Sequence, residues 1–254
     1  MITEFAIRKE LVEIGRRMYE KDLVAATDGN ISYRAGDDQI IISPSGSCLG
    51  FLKPTELVTI DSSGRVLGGK EKPTSEYRLH LEVYHLRKDV RAVVHAHPPI
   101  CTAFSVAGIS LEECILPEVV FMMGAIPTTA YGAPTTDEVP PVIREYIGKC
   151  DAMILDRHGT LTVGESLTDA YYRLEKLEHT ARIILAARAL GNVQVLNRDQ
   201  VEKLMEVRRR AGLPSDIIRC VYCNGTDSQN GGVKEEDRLT RAISSEVLKI
   251  INKS

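Results

Sequence analysis

The chain has no tryptophan and only four phenylalanines, and aromatic residues make up 5% of it. Stacking of a sugar on aromatic rings is therefore not the evident mode of recognition. No apolar run approaches the roughly 18–20 residues needed to cross a bilayer. The N-terminus also lacks a charged-then-apolar leader pattern, so residence in the cytoplasm without a membrane partner is expected. A large excess of one sign of charge is missing as well. A formal net charge of −3 over 254 residues gives no reason to expect a nucleic-acid partner, and any basic site is local.

Cysteine is sparse. Cys48, Cys101, Cys114, Cys150, Cys220 and Cys223 are scattered through a chain long enough to build its own core, so thiols are expected rather than a disulfide framework. Cys220 and Cys223 have the spacing of a metal or redox pair, but no second pair completes a zinc site. No internal repeat is present. The remainder is ordinary for a folded core, with 43% hydrophobic residues and a mean hydropathy of −0.11.

Against this plain background one stretch carries chemistry: Val93-Val94-His95-Ala96-His97-Pro98-Pro99. The valines favour a strand and the prolines end it. Side chains two apart in a strand share a face, about 7 Å apart along it, so His95 and His97 form half of a metal site. A catalytic zinc shell usually takes three protein ligands. His158 follows an apolar strand-like run from Ala152 and precedes the turn residue Gly159, which makes it the third candidate. Pro73-Thr74-Ser75-Glu76 opens a helix expected to run to about Arg87, with Thr74 or Ser75 as cap and Glu76 in the first turn. The reading is a divalent metal, zinc by preference, on His95, His97 and His158, with Glu76 as a switchable ligand or as acid/base. The structural alternatives are a hydrogen-bonded strand histidine pair and a carboxylate favoured by the helix dipole. His80, His85 and His179 read as packing or surface residues.

Three further segments are rich in small polar residues: Ala25 to Tyr33, Ser43-Pro44-Ser45-Gly46, and Lys72 to Glu76. Such loops offer N–H groups and hydroxyls without steric obstruction, which suits a phosphate, though the first two are equally good turns. Helices are expected over Thr3–Lys21, Thr102–Gly108, about Asp137–Lys149 and, capped by Thr168-Asp169, to Leu190. That last helix carries an apolar stripe of Leu174, Leu177, Ile184 and Leu185. Strands are expected near Ile31–Tyr33, Gln39–Ser43, Leu57–Ile60, Val66–Leu67 and Leu161–Val163, and an extended strand and loop over Ile126–Thr136. Glu118, beside Pro117 and ahead of an apolar run, is a helix-start residue or a second acid/base. A helix after Asn197 carries Arg208-Arg209-Arg210, whose default reading is a solvated face. Asn224 to Gly232 has linker composition, and a last helix is expected over Val233–Asn252.

Gly29-Asn30-Ile31-Ser32, Ser43-Pro44-Ser45-Gly46, Pro73-Thr74-Ser75-Glu76, His95-Ala96-His97 and His158-Gly159, in this order, resemble the class II aldolase and epimerase superfamily over roughly Phe5 to Gly191. The resemblance implies a single α/β/α three-layer domain with a largely antiparallel central sheet, here residues 1–212, followed by a C-terminal extension over 213–254. It implies a homotetramer with sites at subunit interfaces. It also implies zinc or another divalent metal on His95, His97 and His158, and Glu76 as metal-approaching acid/base. Gly29, Asn30, Ser45, Gly46, Thr74 and Ser75 fall where the family binds the phosphate of a small phosphorylated sugar. Family members that are fuculose-phosphate aldolases carry a tyrosine proton donor near Glu118 to Val120. None stands there in this chain, and Glu118 is the substitute. The implied activity is aldol cleavage of a ketose 1-phosphate to dihydroxyacetone phosphate and an aldehyde. Dehydratase, decarboxylase or epimerase chemistry on the same metal site is the alternative, and a non-catalytic adducin-like interaction module the more distant one.

Overall fold

The structure is a computed structural model that describes residues 3–213. The linker and final helix expected beyond residue 213, and Cys220 with Cys223, lie outside the described residues.

Seven strands form one antiparallel sheet: β1 (Asn30–Gly36), β2 (Gln39–Ile42), β3 (Val58–Ile60), β4 (Val66–Gly68), β5 (Ala92–Ala96), β6 (Ala152–Leu155) and β7 (Gly159–Gly164), in the spatial order β4-β3-β2-β1-β5-β7-β6. The helices are α1 (Glu4–Glu20), α2 (Tyr77–Leu86), α3 (Pro99–Val106), α4 (Pro117–Met122), α5 (Val139–Ile147), α6 (Leu167–Leu190) and α7 (Arg198–Arg210). Strand alternation sorts the core into two layers. Ile31, Tyr33, Ala92, Val94 and Ala96 face α1 and α6, packing with Leu11, Ile14, Met18, Tyr171 and Leu174. Val93, Leu161 and Val163 face α2 and α5, packing with Leu79, Val83, Tyr84, Ile143 and Ile147. A third cluster joins α3, α4 and the middle of α6 to β6 through Phe104, Val119, Leu177 and Ile154. This is the expected three-layer α/β/α fold.

Several boundaries differ from expectation. α2 begins at Tyr77, and Glu76 is its N-cap residue instead of lying in the first turn, because Thr74 turns the chain through its carbonyl and hydroxyl. Ser166, not Thr168-Asp169, caps α6, its hydroxyl accepting from the Asp169 N–H at 3.1 Å. Leu185 falls outside the buried stripe that Leu174, Leu177 and Ile184 form. The segment from Ile126 makes only isolated bridges. Pro127 has no N–H to give a ladder, and only its carbonyl and the Thr129 N–H bond β6, both to Ile154. Arg208 is buried and donates to the Phe121 carbonyl, fastening α7 to α4, while Arg209 and Arg210 pair with Glu206 on the solvated face. Cys48, Cys101 and Cys150 are thiols, as expected. No helix of the described residues is long and apolar enough to cross a membrane.

Candidate metal centre and adjoining cavity

β5 delivers His95 and, one residue past its end, His97 to the same face of the sheet. Their Nε2 atoms lie 3.0 Å apart. His158 reaches them from the turn joining β6 to β7 instead of from the strand itself. Two backbone features make that turn possible. Arg157 adopts a left-handed conformation, φ 53°. Gly159 passes so close to β5 that a Cβ there would stand 2.3 Å from the Ala96 carbonyl and 2.6 Å from the His97 ring. Only glycine permits this approach. Ser105 secures the turn, accepting from the Arg157 N–H at 2.6 Å.

The three imidazoles present one ligand atom each within 4.8 Å of one another. The tautomer of His95 suits a cation. His95 is fully buried and its Nδ1–H donates to the Thr160 carbonyl at 2.9 Å, so its Nε2 lone pair points into the cluster. Asp28 Oδ2 stands 3.6 Å from His97 Nδ1, on the side of that ring away from the cluster. Burial, and then the neighbouring imidazoles, push the His95 pKa well below its usual value, and burial lowers that of His158. Neutral imidazole is the form that binds metal.

Glu76 closes the group. Its Oε2 is 3.2 Å from His95 Nε2 and its Oε1 is 3.3 Å from His158 Nε2, and Oε1 is a buried oxygen without a hydrogen-bond partner. Three convergent lone pairs beside an unsatisfied carboxylate oxygen are a donor set that a divalent cation satisfies. Among the described residues no other such group of histidine, cysteine and carboxylate ligands occurs.

A cavity of about 210 Å³ opens beside Glu76, His97 and His158. It gathers all six residues expected to hold a phosphate: Gly29, Asn30, Ser45, Gly46, Thr74 and Ser75. Gly29 has φ +76°, and a Cβ there would lie 2.6 Å from Val24 and 3.0 Å from the His95 carbonyl, so that turn accepts glycine alone. The backbone N–H groups of Ser45 and Thr74 are already bonded to the carbonyls of Lys72 and Ser43. Hydroxyls, not these two amides, face an incoming anion. No lysine or arginine among the described residues lines the cavity.

Among the residues of the cavity wall that sequence reading did not single out are Thr27, Asp28, Pro134 and Thr135. Pro134 and Thr135 come from the loop before α5, and Thr135 is left-handed at φ 65°. Their only sequence signal is the turn composition of Gly132 to Asp137. Glu118 is not brought to this site. It is exposed in the first turn of α4 and absent from the cavity wall. A larger cavity, about 660 Å³, lies among Lys21, Tyr172, Glu175, His179 and Arg182. It holds no convergent ligand set, so size alone does not mark the site.

Known proteins resemble this chain in sequence and in fold. The profile of the Class II Aldolase and Adducin N-terminal domain matches residues 9–185. An L-fuculose phosphate aldolase of Methanococcus vannielii is 37% identical over 177 residues, spanning 69% of this chain and 93% of its own. A 3-oxo-tetronate 4-phosphate decarboxylase of Escherichia coli K12 is 32% identical over 185 residues, spanning 71% and 87%. The crystal structure of YgbL from Klebsiella pneumoniae superposes with a TM-score of 0.73 at 31% identity, covering 80% of this chain and 100% of that one. The chain belongs to the class II aldolase and adducin N-terminal domain family.

Proposed function

We propose that the protein is a metal-dependent carbon–carbon lyase that cleaves a ketose 1-phosphate reversibly to dihydroxyacetone phosphate and an aldehyde. One observation carries the reading: the free, buried Oε1 of Glu76 stands between a three-imidazole cluster and a cavity lined by hydroxyls. His95, His97 and His158 would hold the cation, with zinc as the preferred ion. When bound, it supplies Lewis-acid stabilisation of the charge left as the carbon–carbon bond breaks.

The chain's own residues supply the rest. Ser45, Thr74 and Ser75 hydroxyls donate to the substrate phosphate, with Gly29 and Gly46 allowing close approach. That anchoring converts an encounter into an oriented reaction. Thr74 Oγ1 already accepts from the Glu76 N–H at 3.3 Å, so its own hydrogen remains for the anion. In cleavage, the bonding pair stays on the carbon of the dihydroxyacetone half, and Glu76 Oε1 delivers the proton that quenches it. In synthesis the same oxygen removes that proton. The aldehyde oxygen needs a second proton carrier. Glu118, exposed on α4, fills that role if a neighbouring copy presents it, which accords with a homotetramer having its sites at interfaces.

A second reading has specific support. The relative from Escherichia coli is a decarboxylase, and loss of carbon dioxide beside a carbonyl leaves the same kind of electron pair for Glu76 to protonate. Incubating the zinc-loaded protein with ketose 1-phosphates and with 3-oxo acid phosphates, followed by mass spectrometry, separates the two. Dihydroxyacetone phosphate plus an aldehyde supports the aldolase, and carbon dioxide replaces it with the decarboxylase.

A further inference from the structure

From Asn30 in the cavity wall a line of buried polar side chains runs back behind Glu76 into the fold; of its members, sequence reading took Asn30 as a phosphate contact and His80 as packing. Asn30 Nδ2 donates to Glu76 Oε2 at 2.8 Å. Asn30 Oδ1 meets His80 Nε2, His80 Nδ1 lies 2.7 Å from Ser32 Oγ, and Ser32 Oγ lies 2.8 Å from Tyr84 Oη. Asn30 and Ser32 sit two apart on β1, and His80 and Tyr84 four apart on α2, so strand and helix periodicity face the two pairs toward one another. Asn30 is 3% exposed, Ser32 and His80 are fully buried, and Tyr84 is 4% exposed.

The carboxylate fixes the direction of every bond. An ionised Glu76 only accepts, so the Asn30 amide nitrogen faces it and the Asn30 oxygen faces His80. His80 Nε2 must then carry the hydrogen, and Nδ1 must accept from the Ser32 hydroxyl. Ser32 in turn accepts from Tyr84. Burial holds the His80 pKa down to about 3, which keeps the ring neutral, and the hydrogen bonds to Asn30 and Ser32 select the tautomer.

We infer that His80 is a positioning residue for the proton-transfer step: through Asn30 it clamps Glu76 Oε2 and thereby leaves Oε1 as the oxygen that exchanges the proton. The inference rests on the reading of Glu76 as acid/base. It also gives Asn30 two tasks, since one Nδ2–H holds Glu76 and the other remains for the phosphate.

The test uses two side chains that each copy one ring nitrogen. Gln at position 80 can place an amide N–H where Nε2–H stands, whereas Asn reaches only toward the Nδ1 position. The probe is zinc-loaded protein with dihydroxyacetone phosphate in deuterium oxide, since Glu76 exchanges a carbon-bound hydrogen without any aldehyde present. His80→Asn should slow exchange by about 10–100-fold, the usual scale for a supporting group around a metal centre, with zinc content unchanged. His80→Gln should stay within about threefold of the parent. Equal losses in both variants, tracking their melting temperatures, would overturn the positioning role. ¹⁵N spectra of histidine-labelled protein provide a readout without turnover: His80 should show the Nε2–H tautomer, and the Nδ1–H tautomer would sink the inference. Absence of exchange in the parent chain would reject the aldolase reading instead, leaving the tautomer to decide the clamp.

Discussion

Two groups of histidine lie on either side of one carboxylate. In front of Glu76, His95, His97 and His158 converge with lone pairs aimed at one another, and both Glu76 Oε1 and His158 Nδ1 are buried without hydrogen-bond partners. Behind it, His80 has both ring nitrogens bonded in a line that ends at Tyr84. Unsatisfied buried polar atoms cost about 1–3 kcal/mol each, so a fold keeps them where a ligand repays that cost. A satisfied chain needs nothing from outside and contributes rigidity. The same residue type is thus left with open lone pairs in one place and saturated in the other, and the hydrogen-bond inventory separates them.

The sharpest way to break this contrast is to remove one member of the front group. His158→Ala should lose bound metal and take activity down by more than the roughly 10–100-fold typical of supporting residues, while the melting temperature of the metal-free protein scarcely changes, because its Nδ1 bonds nothing. Metal analysis and thermal melts of the metal-free protein read both halves, and full metal stoichiometry in the variant would exclude His158 as a ligand. Glu76→Gln comes next. General acid–base groups contribute about 10²–10⁴-fold, so turnover should fall by that order with metal retained. An active variant would remove Glu76 from the chemistry.

How much of this contrast was legible in the sequence depends on the distance over which each part is built. The alternation of His95 and His97 is a two-residue matter, and Val93 and Val94 before them announce the strand. His158 was legible from its apolar lead and Gly159, although the turn rather than the strand presents it. The small polar loops around the cavity were legible as compositions, yet not that the Ser45 and Thr74 amides are spent on the chain. The rear line was out of reach. Its bonds join residues 46 to 52 positions apart, and helical spacing says only that His80 is buried. That β1 turns Asn30 and Ser32 toward α2, and Ile31 and Tyr33 toward α1, depends on the sheet's register. Glu118 shows the reverse: a chemically apt residue beside a proline, which one chain leaves exposed on α4 and outside the cavity wall.

A smaller effect sharpens the comparison from behind. Ser32→Ala strips His80 Nδ1 of its donor, while Tyr84 keeps the Arg91 carbonyl, 3.3 Å away, as an alternative acceptor. One buried acceptor is left bare, and a loss of about 1–3 kcal/mol in unfolding free energy is expected from denaturant melts. No change at all would mean that water or a ring flip satisfies His80, and the line would not be rigid.

The gentlest test is pH. In the metal-free fold His80 holds its pKa near 3, chiefly through burial, whereas in the unfolded chain it returns to about 6.5. Between these values the unfolded state binds a proton that the folded state refuses, so stability is complete above about pH 6.5 and falls as the pH drops toward 3. The steepest slope one such group allows is about 1.4 kcal/mol per pH unit. His95 and His158 shift in the same direction and steepen the fall. His80→Gln keeps the Nε2-side hydrogen bond and has nothing to titrate, so its stability curve should be shallower by one group's share while the contribution of the front histidines persists. Parallel curves for parent and variant would show that His80 takes up its proton equally in both states, which a ring sealed between Asn30 and Ser32 cannot do.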